Sequence, residues 1–168
     1  MKLLQRITTE YVDAEDRMRL SGETEDGETV TLWLTRRLLK RLVAHLCDWL
    51  EQETGAGDRL HSGLMNGFAQ QAAAASLASQ PPVRVADGAA CSLVDSVDVT
   101  AGGNGVRLTF RRAGDESGGL ILQPLQLRQW LSILHAQYDK ADWPEADWPE
   151  WVTENRPVSP TAAPVAVH

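Results

Sequence analysis

Asp142-Trp143-Pro144-Glu145-Ala146 is followed at once by Asp147-Trp148-Pro149-Glu150 and then Trp151, so three of the chain's six tryptophans fall within nine residues. Each proline removes a backbone donor and pushes the residue before it toward extended geometry, which predicts that the segment is neither a regular helix nor a strand. Large rings spaced by five and three residues on an acidic strip have two uses. They form a latch when they fold back and close an apolar face of their own protein. They form a docking peptide when they enter pockets on a partner whose basic surface meets Asp142 and Asp147. A latch exchanged between two copies satisfies both readings and makes a homodimer. Trp143, Trp148, Trp151, Asp142 and Asp147 are therefore the candidate partner-binding residues.

Arg36, Arg37, Lys40 and Arg41 form a second cluster. They crowd the first two turns of a predicted helix, the end at which the helix dipole disfavours positive charge. Either nearby acids neutralise them, with Glu23, Glu25, Asp26 and Glu28 on the preceding turn as candidates, or they are an anion-binding face for a phosphate backbone or an acidic partner. The formal net charge of -7 disfavours non-specific nucleic-acid binding without forbidding a local basic site. Most of that charge is uneven in placement, since residues 141–168 hold one basic and five acidic side chains.

Other residue types show no reactive arrangement. His45, His61, His135 and His168 have no His-x-x-His or His-Glu pairing at ligand spacing, and Asp13, Glu15 and Asp16 lack the glycine and ligand alternation of a calcium loop. No metal and no cofactor is expected. Cys47 and Cys91 lie in apolar segments outside any Cys-x-x-Cys spacing, so both are expected to be buried reduced thiols. Gly102-Gly103-Asn104-Gly105 precedes a strand rather than a helix and reads as a turn, not a phosphate loop. No catalytic residue is assigned, and an enzyme is not expected. The first residues contain no apolar run of signal-peptide length and no segment reaches the length of a membrane span, which predicts a cytoplasmic protein.

The elements that position these clusters read as a duplication. Met18-Arg19-Leu20 matches Val106-Arg107-Leu108 and Leu32-Trp33-Leu34 matches Leu120-Ile121-Leu122, both at a separation of 88 residues. The same offset carries Leu39, Leu42, Val43, Leu46 and Leu50 onto Leu127, Trp130, Leu131, Leu134 and Tyr138, and Glu28 onto Glu116 in the turn of each copy. Residues 1–52 are thus predicted as a first β-β-β-α unit, with strands at 7–12, 17–21 and 29–34, an N-cap at Thr35 and a helix over 36–52. Residues 91–140 are predicted as a second, with strands at 93–100 and 106–111, a loop through Gly114 to Gly119, a short strand at 120–123 and a helix opened by Pro124. Residues 53–90 are a linker whose Leu60, Leu64, Phe68 and Ala72–Ala75 allow a connecting helix with a modest apolar stripe, ended by Pro81-Pro82. Residues 141–168 are the acidic tail, expected to be disordered after about residue 152.

These elements predict an α+β fold in which the two units are joined around a pseudo-two-fold axis, antiparallel sheets covered by helices, because each unit alone leaves strand edges unpaired. In element order the arrangement is similar to the Whirly and PUR-repeat families of nucleic-acid-binding proteins, which are built from repeated sheet-and-helix units; no motif of those families is shared. The functional expectation is a non-catalytic interaction or assembly factor that uses the tryptophan tail as latch or docking peptide on an unidentified protein partner. The alternative is a single-stranded nucleic-acid-binding protein that uses a sheet face and the basic helix start.

Overall fold

Strands β1 (Leu4–Val12), β2 (Arg17–Thr24) and β3 (Thr29–Leu34) pair antiparallel and lead into helix α1 (Arg36–Thr54) in the computed structural model, which describes residues 2–55 and 57–154. Helix α2 (Arg59–Ala75) follows, then a short strand β4 (Ala90–Leu93) that joins the first sheet parallel to β3. Strands β5 (Ser96–Gly102), β6 (Gly105–Arg112) and β7 (Asp115–Leu122) form a second, antiparallel sheet and lead into α3 (Pro124–Ala141). A 3-10 turn (Glu145–Asp147) and one turn of helix, α4 (Glu150–Thr153), complete the α+β fold.

Local chemistry accounts for the main elements. Val30, Leu32 and Leu34 alternate inward on β3, as Met18 and Leu20 do on β2. The Thr35 hydroxyl accepts the Leu38 amide at 3.2 Å and starts α1, while Gly55, in the left-handed region at φ 61°, ends it. At the start of α3, Gln126 Oε1 accepts the Gln123 amide at 3.0 Å and Pro124 fills a position that needs no donor. Register repeats along with element order. Met18 faces Leu34 and Leu20 faces Leu32 in the first sheet, and the residues 88 positions on, Val106 with Leu122 and Leu108 with Leu120, face each other in the second.

The two sheets share a single core because the chain joins them at both sides. The predicted strand over 93–100 is instead two strands. Val94 donates its amide to Trp33 O at 3.0 Å, and the next residue, Asp95, donates to Arg111 O at 2.9 Å, so the chain bends from one sheet into the other. On the opposite side Leu3 bridges Gly119, whose amide donates to Lys2 O at 2.8 Å. That bridge explains a second departure. The expected loop through Gly119 belongs to β7, since Gly118 and Gly119 are buried and present no side chain where β1 approaches; Glu116 therefore lies in a strand, whereas Glu28 lies in a turn. Helix α3 covers the first unit's edge strand, with Trp130 Nε1 donating to Thr9 Oγ1 at 3.1 Å and Gln137 Oε1 accepting the Tyr11 amide at 2.9 Å.

Cys47 is buried on α1, but Cys91 is exposed, because β4 is an edge strand and turns that side chain outward; the expectation of two buried thiols is corrected for Cys91. Burial, then the charges of Glu51 and Asp48, push the Cys47 thiol up to about 12. The thiolate is the reactive form. At pH 8 a thiol reagent should titrate one thiol per native chain, Cys91, and the second only in guanidinium; rapid reaction of both in the native state would contradict the packing of α1. Backbone geometry makes a second prediction. Gly105 sits at φ 154° and a Cβ there would lie 2.2 Å from Leu122 O, whereas one at Gly103 meets nothing within 4 Å. Gly105→Ala should cost at least about 2 kcal/mol in urea unfolding and Gly103→Ala less than about 0.5.

Candidate functional site

The tryptophan tail folds back on its own chain. Asp142, exposed and in the left-handed region at φ 55°, turns the chain out of α3. Pro144 then caps the 3-10 turn and Pro149 caps α4, so the two prolines start short helical turns; the expectation of no helix is corrected, because at a cap the missing donor has no intrahelical partner to lose. Trp148 and Trp151 are each only 6% exposed and belong to the core, and Trp143 is half-buried against it. Tyr138 stands edge-to-face with both Trp143 and Trp148, at 5.1 and 5.2 Å between ring centres, and Trp143 meets Tyr11 in the same way at 5.5 Å. Trp151 Nε1 donates to Glu51 Oε1 at 2.8 Å and Trp143 Nε1 to Asp16 Oδ1 at 3.2 Å. The expected disorder after about residue 152 falls, beyond residue 154, outside the described residues.

The two clusters singled out in the sequence meet. Arg36 grips Asp147 with two hydrogen bonds, Nε to Oδ2 at 3.2 Å and Nη2 to Oδ1 at 3.0 Å, and the Tyr138 hydroxyl donates to Oδ2 at 3.3 Å. The Asp147 side chain is 2% exposed, so this charge is held by its partners rather than by water. Burial first, and the Asp147 charge second, hold the Tyr138 phenol well above its ordinary value. The acids expected to neutralise the helix start do not do so. Glu23 pairs with Arg6 and Glu28 with Lys2, each at 3.3 Å, because the β2–β3 turn faces the N-terminal strand rather than α1. Arg37, Lys40 and Arg41 are exposed and make no ion pair among the described residues.

Helix α2 packs with its faces reversed. Its buried residues are Asn66, Gly67, Gln70 and Ala73, whereas Leu60, Leu64, Met65 and Phe68 are 78%, 53%, 45% and 65% exposed. The apolar stripe anticipated for this helix is present, but it points to solvent. Arg128, a buried residue of α3, supplies the reason. Its Nη2 donates to Asn66 Oδ1 at 2.8 Å and its Nη1 to Asn66 O at 3.4 Å, while Gln70 Nε2 donates to Arg128 O at 2.8 Å. Burying a guanidinium without acceptors is costly, so the face of α2 that carries amide side chains turns inward. Nothing in the 3.6-residue periodicity of α2 reveals this. The signal was in α3, where an arginine occupies a position flanked in the pattern by core residues Leu127, Trp130 and Leu131.

The reversed helix and the tail bound a groove of about 1140 Å³. Leu60, Leu64 and Phe68 form one wall and Trp148, Pro149 and Trp151 the other, with Glu51, Asp58, Glu150 and Glu154 among the lining residues and Arg59 the one base. Apolar side chains together with four carboxylates against one arginine suit a segment that carries both apolar and basic residues. Trp143, Asp142 and the three exposed cations of α1 are not among the residues lining it; Arg41 instead borders a smaller cleft with Leu38, His45 and Val97. No helix among the described residues is long and apolar enough to cross a membrane. Comparison with protein-family models, curated proteins and solved structures finds no match to this chain.

Seating of the tail can be tested directly. Trp148→Ala should lower the unfolding free energy by about 3–5 kcal/mol and Trp143→Ala by less than about 2, measured in urea, because one ring is in the core and the other half outside it. Equal, small losses would mean that the tail is not part of the core.

Proposed function

We propose that this chain is a non-catalytic interaction or assembly factor that holds an amphipathic helical segment of another protein in the groove between α2 and the tail. The observation that carries the reading is the reversed helix. A chain that hides Asn66 and Gln70 while showing Leu60, Leu64, Met65 and Phe68 leaves a contiguous apolar strip that water does not stabilise. Leu60, Leu64 and Phe68 span about 12 Å along the helix axis, two turns of a partner helix, and apolar side chains at four-residue spacing are what a helix-in-groove contact uses. The acidic lining residues Glu51, Asp58, Glu150 and Glu154 select Lys or Arg beside the partner's apolar stripe. In this reading the tail is a latch whose rings wall the groove, and not the docking peptide itself.

The two β-β-β-α units are read as diverged copies joined about a pseudo-two-fold axis, supported by the common element order and by strand registers that agree at the 88-residue offset. The halves then differ where function lies. Arg36, which pairs with the tail, corresponds to Pro124 in the second half, and among the described residues α2 has no counterpart after α3.

Stapled helical peptides with leucines at i, i+4 and i+7 are the probe, flanked by lysines in one version and glutamates in another. The lysine version should bind and shift the emission of Trp148 and Trp151, and Leu64→Asp or Phe68→Asp should weaken it by more than about 10-fold. Failure of both peptides, or equal binding of both, overturns the reading. A dimer of the chain that Phe68→Asp dissociates would assign the groove to a second copy. Peptide binding that appears only after removal of residues 155–168 would assign it to the chain's own C-terminal segment. The second reading, single-stranded nucleic acid, rests on exposed Arg37, Lys40 and Arg41; it requires oligonucleotide binding at low salt that is lost when the three are changed to glutamine.

A further inference from the structure

His135, Asp139 and Glu145 bring three ligand-type side chains together where the tail leaves α3, with one donor atom from each lying within 4.8 Å of the others. His135 and Asp139 are four residues apart on α3 and so share a face. Glu145 comes from the 3-10 turn and places Oε1 and Oε2 at 3.1 and 3.3 Å from His135 Nε2. The linear sequence shows only the four-residue spacing of His135 and Asp139, and the third member arrives because the tail turns back.

We propose that these three side chains bind a divalent transition metal of the zinc class, and that the bound ion fastens the tail to α3. Three observations point to it. The donor set, one imidazole and two carboxylates, suits zinc and its neighbours and leaves a coordination position for water. Donor atoms around a tetrahedral zinc lie roughly 3.3 Å apart, given metal–ligand distances near 2 Å. The His135-to-Glu145 separations are already close to that value, so two of the three ligands need little movement. The imidazole is held in place, buried and edge-on to Trp148 with ring centres 5.1 Å apart, which keeps its Nε2 aimed at the tail. Asp139 lies in the last turn of α3, where the helix dipole favours positive charge. The ion replaces the direct His135–Glu145 contact with two metal–ligand bonds and recruits Asp139. It does not require the groove to bind anything, and the inference stands apart from the partner proposed above.

The full chain, freed of metal by chelator and dialysed, is titrated with zinc chloride by calorimetry, with magnesium and calcium chloride as hard-cation controls. One zinc per chain should bind, raise the melting temperature and perturb the fluorescence of Trp148; magnesium and calcium should do neither. His135→Gln and Glu145→Gln should each weaken zinc roughly 10- to 100-fold. Glu145 is exposed, so its variant keeps the test valid should His135→Gln fail to fold. Asp139→Asn should weaken zinc binding similarly. No heat and no thermal shift with zinc would overturn the proposal. So would zinc binding indifferent to Glu145→Gln, which would place the ion elsewhere, or magnesium binding as tightly as zinc.

Discussion

A guanidinium does not give up its proton in a protein, so the burial of Arg128 within α3 has to be answered by acceptors. Desolvation lowers its pKa from the ordinary arginine value, and among the described residues no carboxylate pairs with it. What answers it is the carbonyl and amide of Asn66 on one side and the face of Trp151, 5.5 Å from the guanidinium carbon, on the other. One side chain therefore orients α2 and seats the end of the tail. Both walls of the groove follow from it. Thr54 Oγ1, at 2.9 Å from Asn66 Oδ1, extends the same network to the end of α1.

The tail is held by contacts of different kinds, each suited to its place. Trp148 and Trp151 contribute buried area, Arg36 and Asp147 contribute a directional pair, and Pro144 and Pro149 limit the freedom that the segment loses on folding. One cost remains visible: Trp148 Nε1 is buried with no protein acceptor. The rings of Tyr138 and His135 pack edge-on around that indole at 5.2 and 5.1 Å between ring centres. The same tail packs on the core, lines the groove and carries Glu145.

Two links tie the sheets together at their margins. The bend at Val94–Asp95 carries the chain from the first sheet to the second, and the Leu3–Gly119 bridge brings β1 against β7. The segment after α2 also crosses the first sheet, where Val83 donates to Thr8 Oγ1 at 2.8 Å and Ala86 to Thr29 Oγ1 at 2.9 Å. The outer sides of β4 and β5 remain sheet edges.

The α+β class, the starts of α1 and α3, and the alternation of β2 and β3 were legible in the sequence, because period, caps and turn residues are local properties of the chain. The split of β4 from β5 and the length of β7 were not, since each depends on which sheet a strand meets. The site divides in the same way. Tryptophans and cations were conspicuous by type and spacing, but that Arg36 meets Asp147 across more than a hundred residues follows only from the return of the tail. Periodicity located the stripe of α2 and could not give its direction. By itself the sequence determined which segments become helices and strands and which residue types gather on each face; only the tertiary structure decided which face turns inward, because that choice was made by the hydrogen-bonding needs of Arg128, a residue on another helix.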